Sequence, residues 1–218
     1  IYANVGDDLD GVSEASSDII SILKAFNMEA SSAQSIVDKL NEVSNNYAVS
    51  SGDLGEGLKN SAASMAVAGN SLDETIALLT AMTEVTQSAD ESGNALKVLA
   101  MRLRGMSVEL KKAGEDTEGM CTTTSELQDK IKALTKTSSS SGVDIMDNGS
   151  FRSTYDILKD IALVWDELAD KNKASLLELI AGKNRSNYAS AVIQNIGTAI
   201  NSLDTSKHSD GSALKEHE

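Results

Sequence analysis

The sequence predicts an all-α protein in which several short amphipathic helices form a bundle or an elongated helical array. Three features of the composition support this prediction. The 218 residues include no proline, a residue that interrupts helices. Only 3% of the residues are aromatic, too few for an aromatic-rich β-sandwich. The apolar residues recur mostly at helical spacing, so the core is expected to consist of Leu, Ile, Val, Met and Ala.

Charge and cysteine content exclude several functional classes. The chain has 33 acidic and 19 basic residues, and its net charge of −14 opposes binding to nucleic acid or to anionic membranes. The single cysteine, Cys121, excludes an intrachain disulfide framework and a cysteine-based zinc site. Apolar runs such as residues 161–165 are far shorter than the ~20 residues that span a bilayer. Because the chain begins with Ile1, we interpret it as a piece of a longer protein.

Residues 1–48 are predicted to form an N-terminal helical segment. Two groups of apolar residues recur there at intervals of three and four, which is the spacing of one helix face. The groups are Ile19, Ile22, Leu23 and Phe26, and then Ile36, Leu40, Val43 and Tyr47.

Residues 49–135 are predicted to form a helical core. Asp53 with Glu56 and Ser71 with Glu74 fit the capping-box pattern at helix starts, and Gly69 fits the position after a helix end. These signals predict a helical hairpin in which a stripe of small residues packs against larger ones. The two faces are Leu58, Ala62, Met65 and Gly69, and Leu72, Ile76, Leu79 and Met82.

A short heptad-like seam follows in the same core. Ser88 with Glu91 opens a helix whose apolar residues alternate spacings of three and four over about two heptads. Either a short coiled coil, through which copies of the chain associate, or a helix of a globular bundle explains this spacing. A further short helix is predicted to begin at Thr123 with Glu126. The seam residues are Leu96, Leu99, Leu103, Met106 and Leu110.

The remaining chain is predicted to contain a loop, a second helical segment and a tail. Residues 136–150 are rich in Ser and Gly and are expected to be flexible, with one small β-hairpin near residues 143–152 that turns at Gly149. Residues 151–204 form a C-terminal helical segment with Trp165 on its apolar face and Gly182 at a helix end. Residues 205–218 lack apolar periodicity and are expected to be a flexible tail.

The sequence predicts no catalytic residue, no cofactor and no metal ligand. The two histidines, His208 and His217, both lie in the polar tail. Residues 181–186 are similar to the end of a phosphate-binding loop, but Leu177 and Asn184 stand where Gly and Ser or Thr are required. A calcium loop starting at Asp144 fails because Met146 occupies its third position. We therefore expect a protein that is not an enzyme.

Several strings of residues, taken in order, resemble the core region of phage tail tape measure proteins. The strings cover residues 57–69, 71–79, 92–104 and 147–165, and end near residues 181–185 and Asn195. Within the third string, Asn94 replaces the Thr that is usual in the family. The resemblance extends over about residues 48–197, and its specificity comes from the ordered set and not from any single element.

The resemblance implies a structural protein of a tailed phage or prophage that sets tail length and scaffolds assembly of the tail tube. A helix adds ~1.5 Å per residue, so an elongated helical chain can convert its length into distance. The implied partners are tail-tube proteins and tail-tip or baseplate proteins, together with further copies of the chain. The implied location is the interior of the virion tail, after assembly in the host bacterial cytoplasm. No direct binding to nucleic acid is expected.

Two alternatives remain open at this point. Several short capped helices are typical of a compact assembly or tip-anchoring module as well as of the measuring rod itself. A non-enzymatic cytoplasmic helical interaction or sensory scaffold would also suit acidic amphipathic helices. Residues expected to serve packing or turns in any of these cases are Gly69, Gly149, Trp165 and Gly182.

Overall fold

The structure, a computed structural model, describes residue 9 and residues 11–217. This part of the chain contains twelve α-helices and confirms the predicted all-α class. Three 3₁₀ turns interrupt them, at Ala30–Ser32, Trp165–Glu167 and Lys183–Arg185. The helices are α1 Val12–Ala25, α2 Ala33–Asn46, α3 Ser51–Val67, α4 Leu72–Thr86, α5 Ala89–Arg102, α6 Ser107–Lys112, α7 Thr124–Leu134, α8 Thr154–Val164, α9 Asp170–Ala181, α10 Ser186–Gln194, α11 Ile196–Lys207 and α12 Ser212–His217.

Helix α4 lies at the centre of the fold. It packs against α3 and α5, and also against α10 and α11 from the second half of the chain. Most of its apolar residues are therefore buried, among them Leu78 and Met82, and Val85 near its end is exposed. The hydrophobic core is continuous from Ala15 in α1 to Ala213 in α12, so the predicted helical segments share one core.

Helices α3 and α5 cross at two glycines. A Cβ atom on Gly93 of α5 would collide with the carbonyl oxygen of Gly57 in α3. Gly57 in turn leaves room for the Leu79 side chain of α4. The predicted packing of α3 on α4 is present, but α3 packs more extensively on α5 because both helices have glycine at the crossing.

The capping boxes predicted at the starts of α4 and α3 have different outcomes in the structure. The capping box of Ser71 with Glu74 at the start of α4 is confirmed. The box of Asp53 with Glu56 is wrong: Ser50 caps α3, and its partner is Asp53. Both pairings have the same spacing of three residues, and the chain uses the earlier one because its helix begins at Ser51.

The predicted β-hairpin is present after the Ser/Gly-rich stretch. Strands β1, Met146–Asp147, and β2, Ser150–Phe151, pair antiparallel. The turn residues Asn148 and Gly149 both have positive φ, at 46° and 82°, as a tight two-residue hairpin requires.

The loop that leads into this hairpin is partly packed. Val143 and Ile145 are buried. Their backbone N–H groups donate to side chains of the preceding helix region, to Thr135 Oγ1 at 2.7 Å and to Gln128 Oε1 at 2.8 Å. The second half of the stretch predicted to be flexible is thus bound to α7.

The polar segment after residue 205 also differs from the expectation of a frayed tail. Helix α11 continues to Lys207, and α12 packs on α2. The buried carboxylate of Asp38 accepts hydrogen bonds from the backbone N–H groups of Gly211 and Ala213, at 3.0 and 3.1 Å. The amide of Asn41 donates to the Glu216 carboxylate at 2.8 Å. Polar contacts therefore hold a segment whose sequence has no apolar repeat.

Candidate functional site

Two strings of the resemblance, residues 92–104 and 181–185, meet at one place in the fold. Helix α5 ends at Arg102, and the end of α9 lies directly against that side chain. The loop after α6 closes over the same side chain. We call this place the arginine junction and define it as Arg102, residues 115–118 and residues 178–185.

Arg102 is 1% exposed and binds only backbone carbonyl oxygens. Its Nε donates to Leu179 at 3.0 Å, and one terminal nitrogen donates to Asp116 at 2.8 Å. The other terminal nitrogen donates to Glu118 at 3.0 Å and to Glu178 at 3.3 Å. One side chain therefore joins α5 to the C-terminal turn of α9 and to the loop between them.

The position of the Arg102 side chain against the C-terminal end of α9 explains why its guanidinium binds backbone carbonyl oxygens. The carbonyls at the end of α9 carry the negative end of the helix dipole, so a cation stabilises them. The Glu178 carbonyl also accepts the backbone N–H of Gly182, whereas helix-end carbonyls in general lack intrahelical donors. Burial lowers the pKa of the Arg102 guanidinium, while the charges of Asp116 and Glu178 act in the opposite direction. Arginine nevertheless keeps its charge in proteins.

Ion pairs surround the buried arginine. Arg185 bonds to Glu91 of α5 at 3.2 Å and to Glu115 of the loop at 3.2 Å. Lys183 bonds to Glu118 at 3.0 Å, and this contact raises the pKa of Lys183. These pairs join the same three segments as Arg102, at positions closer to solvent.

Gly182 ends α9 within the arginine junction. Its φ is 74°, a conformation that favours glycine. A Cβ atom here would lie 3.4 Å from a terminal nitrogen of Arg102 and 3.7 Å from the Asp116 carboxylate. The glycine thus serves both the turn and the approach of the guanidinium.

A second meeting point joins the string around Gly69 to the string that begins at the hairpin. Asn70 is buried and uses both ends of its amide. Its oxygen accepts a hydrogen bond from the Tyr155 backbone N–H at 2.9 Å, and its nitrogen donates to the Met65 carbonyl at 2.9 Å. Gly69 and Asn70 close the end of α3 with the paired backbone bonds of a Schellman motif.

We call this second place the hairpin junction and define it as residues 69–70, Arg104 and residues 151–155. It contains two arginines. Arg104 lies over the Phe151 ring, 4.9 Å from its centroid. Arg152 donates to the Asp144 carbonyl at 2.8 Å and to the Asp160 carboxylate at 2.6 Å. Helices α3, α5 and α8 are thereby connected through the hairpin.

The predicted association seam lies mainly inside the chain. Helix α5 ends at Arg102, and Gly105 has a φ of 67°, so the heptad-like spacing does not run along one helix. In this arrangement Leu96, Leu99 and Leu103 belong to the chain's own hydrophobic core, and Met106 is partly exposed. The buried members are Leu96, Leu99, Leu103 and Leu110.

The other predicted positions lie outside the two junctions. Trp165 is 7% exposed in a 3₁₀ turn, and Lys173 lies 5.7 Å from its ring centroid. Gly149 lies in the hairpin turn with open space around it. His208 is exposed and bonds to the Asp204 carbonyl at 2.9 Å.

Sequence reasoning did not find the roles of Arg102 and Asn70. A signal exists for Arg102, because it is a charged residue in a helix that is otherwise buried through Leu99 and Ala100. Its partner at Leu179 lies 77 positions further along the chain and follows only from the fold.

The contacts of both junctions join helices and loops of the described part of the chain to one another. This part of the chain contains no group of three or more His, Cys, Asp or Glu residues placed to hold a metal ion. Burial raises the pKa of the Cys121 thiol, which disfavours the nucleophilic thiolate. No helix of residues 11–217 is both long and apolar enough to cross a membrane.

Comparison with known families covers most of the chain. The family described as phage-related minor tail protein matches residues 2–182. The match includes the arginine junction up to Gly182 and the whole hairpin junction, whereas helices α10 to α12 follow it. No solved structure matches the chain.

Proposed function

This chain belongs to the phage-related minor tail protein family, and we propose that it is an anchoring module of a tape measure protein. In this proposal the full protein sets tail length and scaffolds the tail tube, while the present segment fixes one point of the assembly. The ordered resemblance to tape measure cores supports the first part. The compact packing of the helices supports the second.

The observation that carries the anchoring role is the shortness and mutual packing of the helices. The longest helix among the described residues, α3, has 17 residues. At ~1.5 Å per residue it spans only about 25 Å. The arginine junction and the hairpin junction bind helices that are distant in the sequence to one another. The chain here therefore forms a packed body, and its length contributes little to extended distance.

The proposed partners follow from the tail. They are tail-tube proteins and tail-tip or baseplate proteins, and the location is the tail interior of the virion after assembly in the host cytoplasm. The net charge of −14 supports protein partners over direct contact with DNA.

A length-preserving variant separates anchoring from measuring. We expect Gly93→Ala in the full phage gene to disrupt the α3–α5 crossing and to abolish or strongly reduce assembled tails, as counted by electron microscopy. Gly197→Ala is the matched control, because the space beside Gly197 is open. Tails of normal number and length with Gly93→Ala, despite a destabilised segment, would contradict the anchoring role.

An in-frame deletion of residues 12–217 is a second test that separates anchoring from measuring tail length. Anchoring predicts loss of tails, whereas a pure ruler predicts tails shortened in proportion to the deleted helix length.

Quantitative mass spectrometry of purified particles measures the copy number of this chain relative to the tail-tube protein. A few copies per particle, far below the tube subunit, supports the proposal, and absence from complete tailed particles favours a cytoplasmic scaffold.

A further inference from the structure

Arg104 differs from the other three arginines of the chain. Arg102 binds four carbonyl oxygens, Arg152 binds the Asp160 carboxylate, and Arg185 binds two glutamates. Among the described residues, Arg104 has neither a carboxylate nor a carbonyl partner for its guanidinium, although the chain contains 33 acidic residues. An arginine without an anion in such an acidic chain points to an anion from elsewhere.

The hairpin junction holds this guanidinium in a defined position. The guanidinium carbon lies over the Phe151 ring, 4.9 Å from its centroid. A terminal nitrogen lies 3.3 Å from the position that a Cβ atom on Gly69 would occupy. The ring and the turn at Gly69 thus support the group, and the side chain is only partly buried. Desolvation lowers the pKa of Arg104, which is consistent with incomplete solvation of its charge.

The chemistry of the group selects its ligand. A guanidinium presents its N–H donors in a planar fork that fits a carboxylate with two parallel hydrogen bonds. Contact with an aromatic ring restricts the guanidinium and so reduces the entropy lost on binding. We propose that Arg104, held over Phe151, is a docking point for one aspartate or glutamate side chain of a partner protein in the tail.

The charge of the chain narrows the partner further. A second copy would bring another net charge of −14, and DNA would bring a dense row of phosphates, so both are repelled over most of the surface. A partner segment with a single carboxylate between apolar residues could bind the Arg104 guanidinium through its carboxylate and contact the Phe151 ring through its apolar side chains. The inference rests on the proposed function only for the identity of the partner as a tail protein.

A titration of the purified 218-residue chain tests the site apart from tail assembly. The probe is the capped peptide acetyl-Leu-Glu-Leu-amide, with acetyl-Leu-Gln-Leu-amide as the matched neutral control. Nitrogen-15 NMR of the four arginine Nε–Hε groups reports binding, and the Arg104 signal is identified by its loss in Arg104→Lys. We expect a saturable shift at Arg104 with the glutamate peptide and no comparable shift with the glutamine peptide.

Other outcomes overturn the inference. Equal responses to both peptides, or equal shifts at Arg152 and Arg185, would show that Arg104 is not a selective carboxylate site. A larger saturable response to inorganic phosphate than to the glutamate peptide would assign the site to phosphate in place of a protein carboxylate. If the peptide titration fails but Gly93→Ala still abolishes tails, this inference is overturned and the proposed function stands. The two tests therefore fail independently.

The peptide affinities of two variants test the proposal independently of the Arg104 signal. Phe151→Leu removes the ring and is expected to weaken glutamate-peptide binding about two- to fivefold, the range of an exposed cation–π contact. Arg104→Lys keeps the charge and loses the fork, so its affinity for the peptide, followed through the peptide's own signals, should also fall. Wild-type affinity in Arg104→Lys would overturn the proposal whether or not Phe151→Leu folds.

Discussion

The crossing of α3 and α5 and the docking of α12 on α2 hold the molecule together by opposite means. At the crossing, Gly57 and Gly93 remove side chains so that two backbones meet beneath an apolar core. At the docking site, Asp38 and Asn41 supply buried polar atoms that bind the backbone and side chains of a short helix. The first contact depends on close approach and the second on hydrogen bonds.

This difference explains why the two regions were predicted so unequally. Apolar residues at helical spacing indicate helices that bury area, and together with capping-box patterns they predict α3, α4 and α5. A segment held by Asp38 carries no such repeat, and its polar composition is typical of a frayed end. Hydrophobic periodicity therefore detects one kind of attachment and misses the other.

The largest expected effect is a break of the helix crossing. Gly93→Ala places a Cβ atom against the backbone carbonyl of Gly57, and the helices must separate. We expect a loss of about 3 kcal/mol in the free energy of unfolding, measured by urea denaturation followed by circular dichroism. Gly197→Ala, in open space within α11, should instead stabilise by about 0.5–1 kcal/mol. Equal effects of the two substitutions would contradict the close approach.

A smaller but substantial effect is expected at the arginine junction. Arg102→Met keeps much of the side-chain volume but leaves the carbonyls at Leu179 and Asp116 without their donor. We expect a loss of about 2–3 kcal/mol in the free energy of unfolding. Arg185→Met is the comparison, since partly exposed ion pairs contribute below about 1 kcal/mol. A neutral Arg102→Met would show that water replaces the guanidinium at no cost.

Release of α12 tests the polar side of the comparison. Asp38→Ala removes the acceptor for the Gly211 and Ala213 N–H groups. We expect a local loss of about 1–2 kcal/mol, seen as faster hydrogen exchange in residues 211–217, with little change in the exchange of α4. Asp204→Ala, at an exposed carboxylate, is the control. Global unfolding in Asp38→Ala would mean that the docked segment supports the whole core.

The smallest effect concerns pH. Hydrogen bonds from Asn45 and Asn41 hold the pKa of Glu216 below its ordinary value of 4.5. Because the folded state favours the charged form, this contribution to docking is present above about pH 4.5 and is lost as the pH falls through the folded value. NMR signals of Gly211 and Ala213 should report the release. Glu216→Gln should reduce the pH dependence, and an identical profile in this variant would assign the change to another carboxylate.

Other parts of the prediction follow the same division between local and long-range information. The capping box of Ser71 with Glu74 depends on residues three apart, so the sequence alone defines it. The turn at Asn148 and Gly149 is local in the same sense. The Leu179 carbonyl bound by Arg102 lies 77 positions away, and the Tyr155 N–H bound by Asn70 lies 85 positions away, so only the assembled fold brings these pairs together.

The central place of α4 also sets the order in which the chain can be completed during synthesis. Helix α4 ends at Thr86, and its partner α11 begins at Ile196, which lies 196 − 86 = 110 positions later. At about 5–20 residues per second on the ribosome, roughly 6–22 s pass before that partner is made. Through this interval the side of α4 that α11 will cover remains open, so its apolar residues are exposed to non-native contacts in the nascent chain.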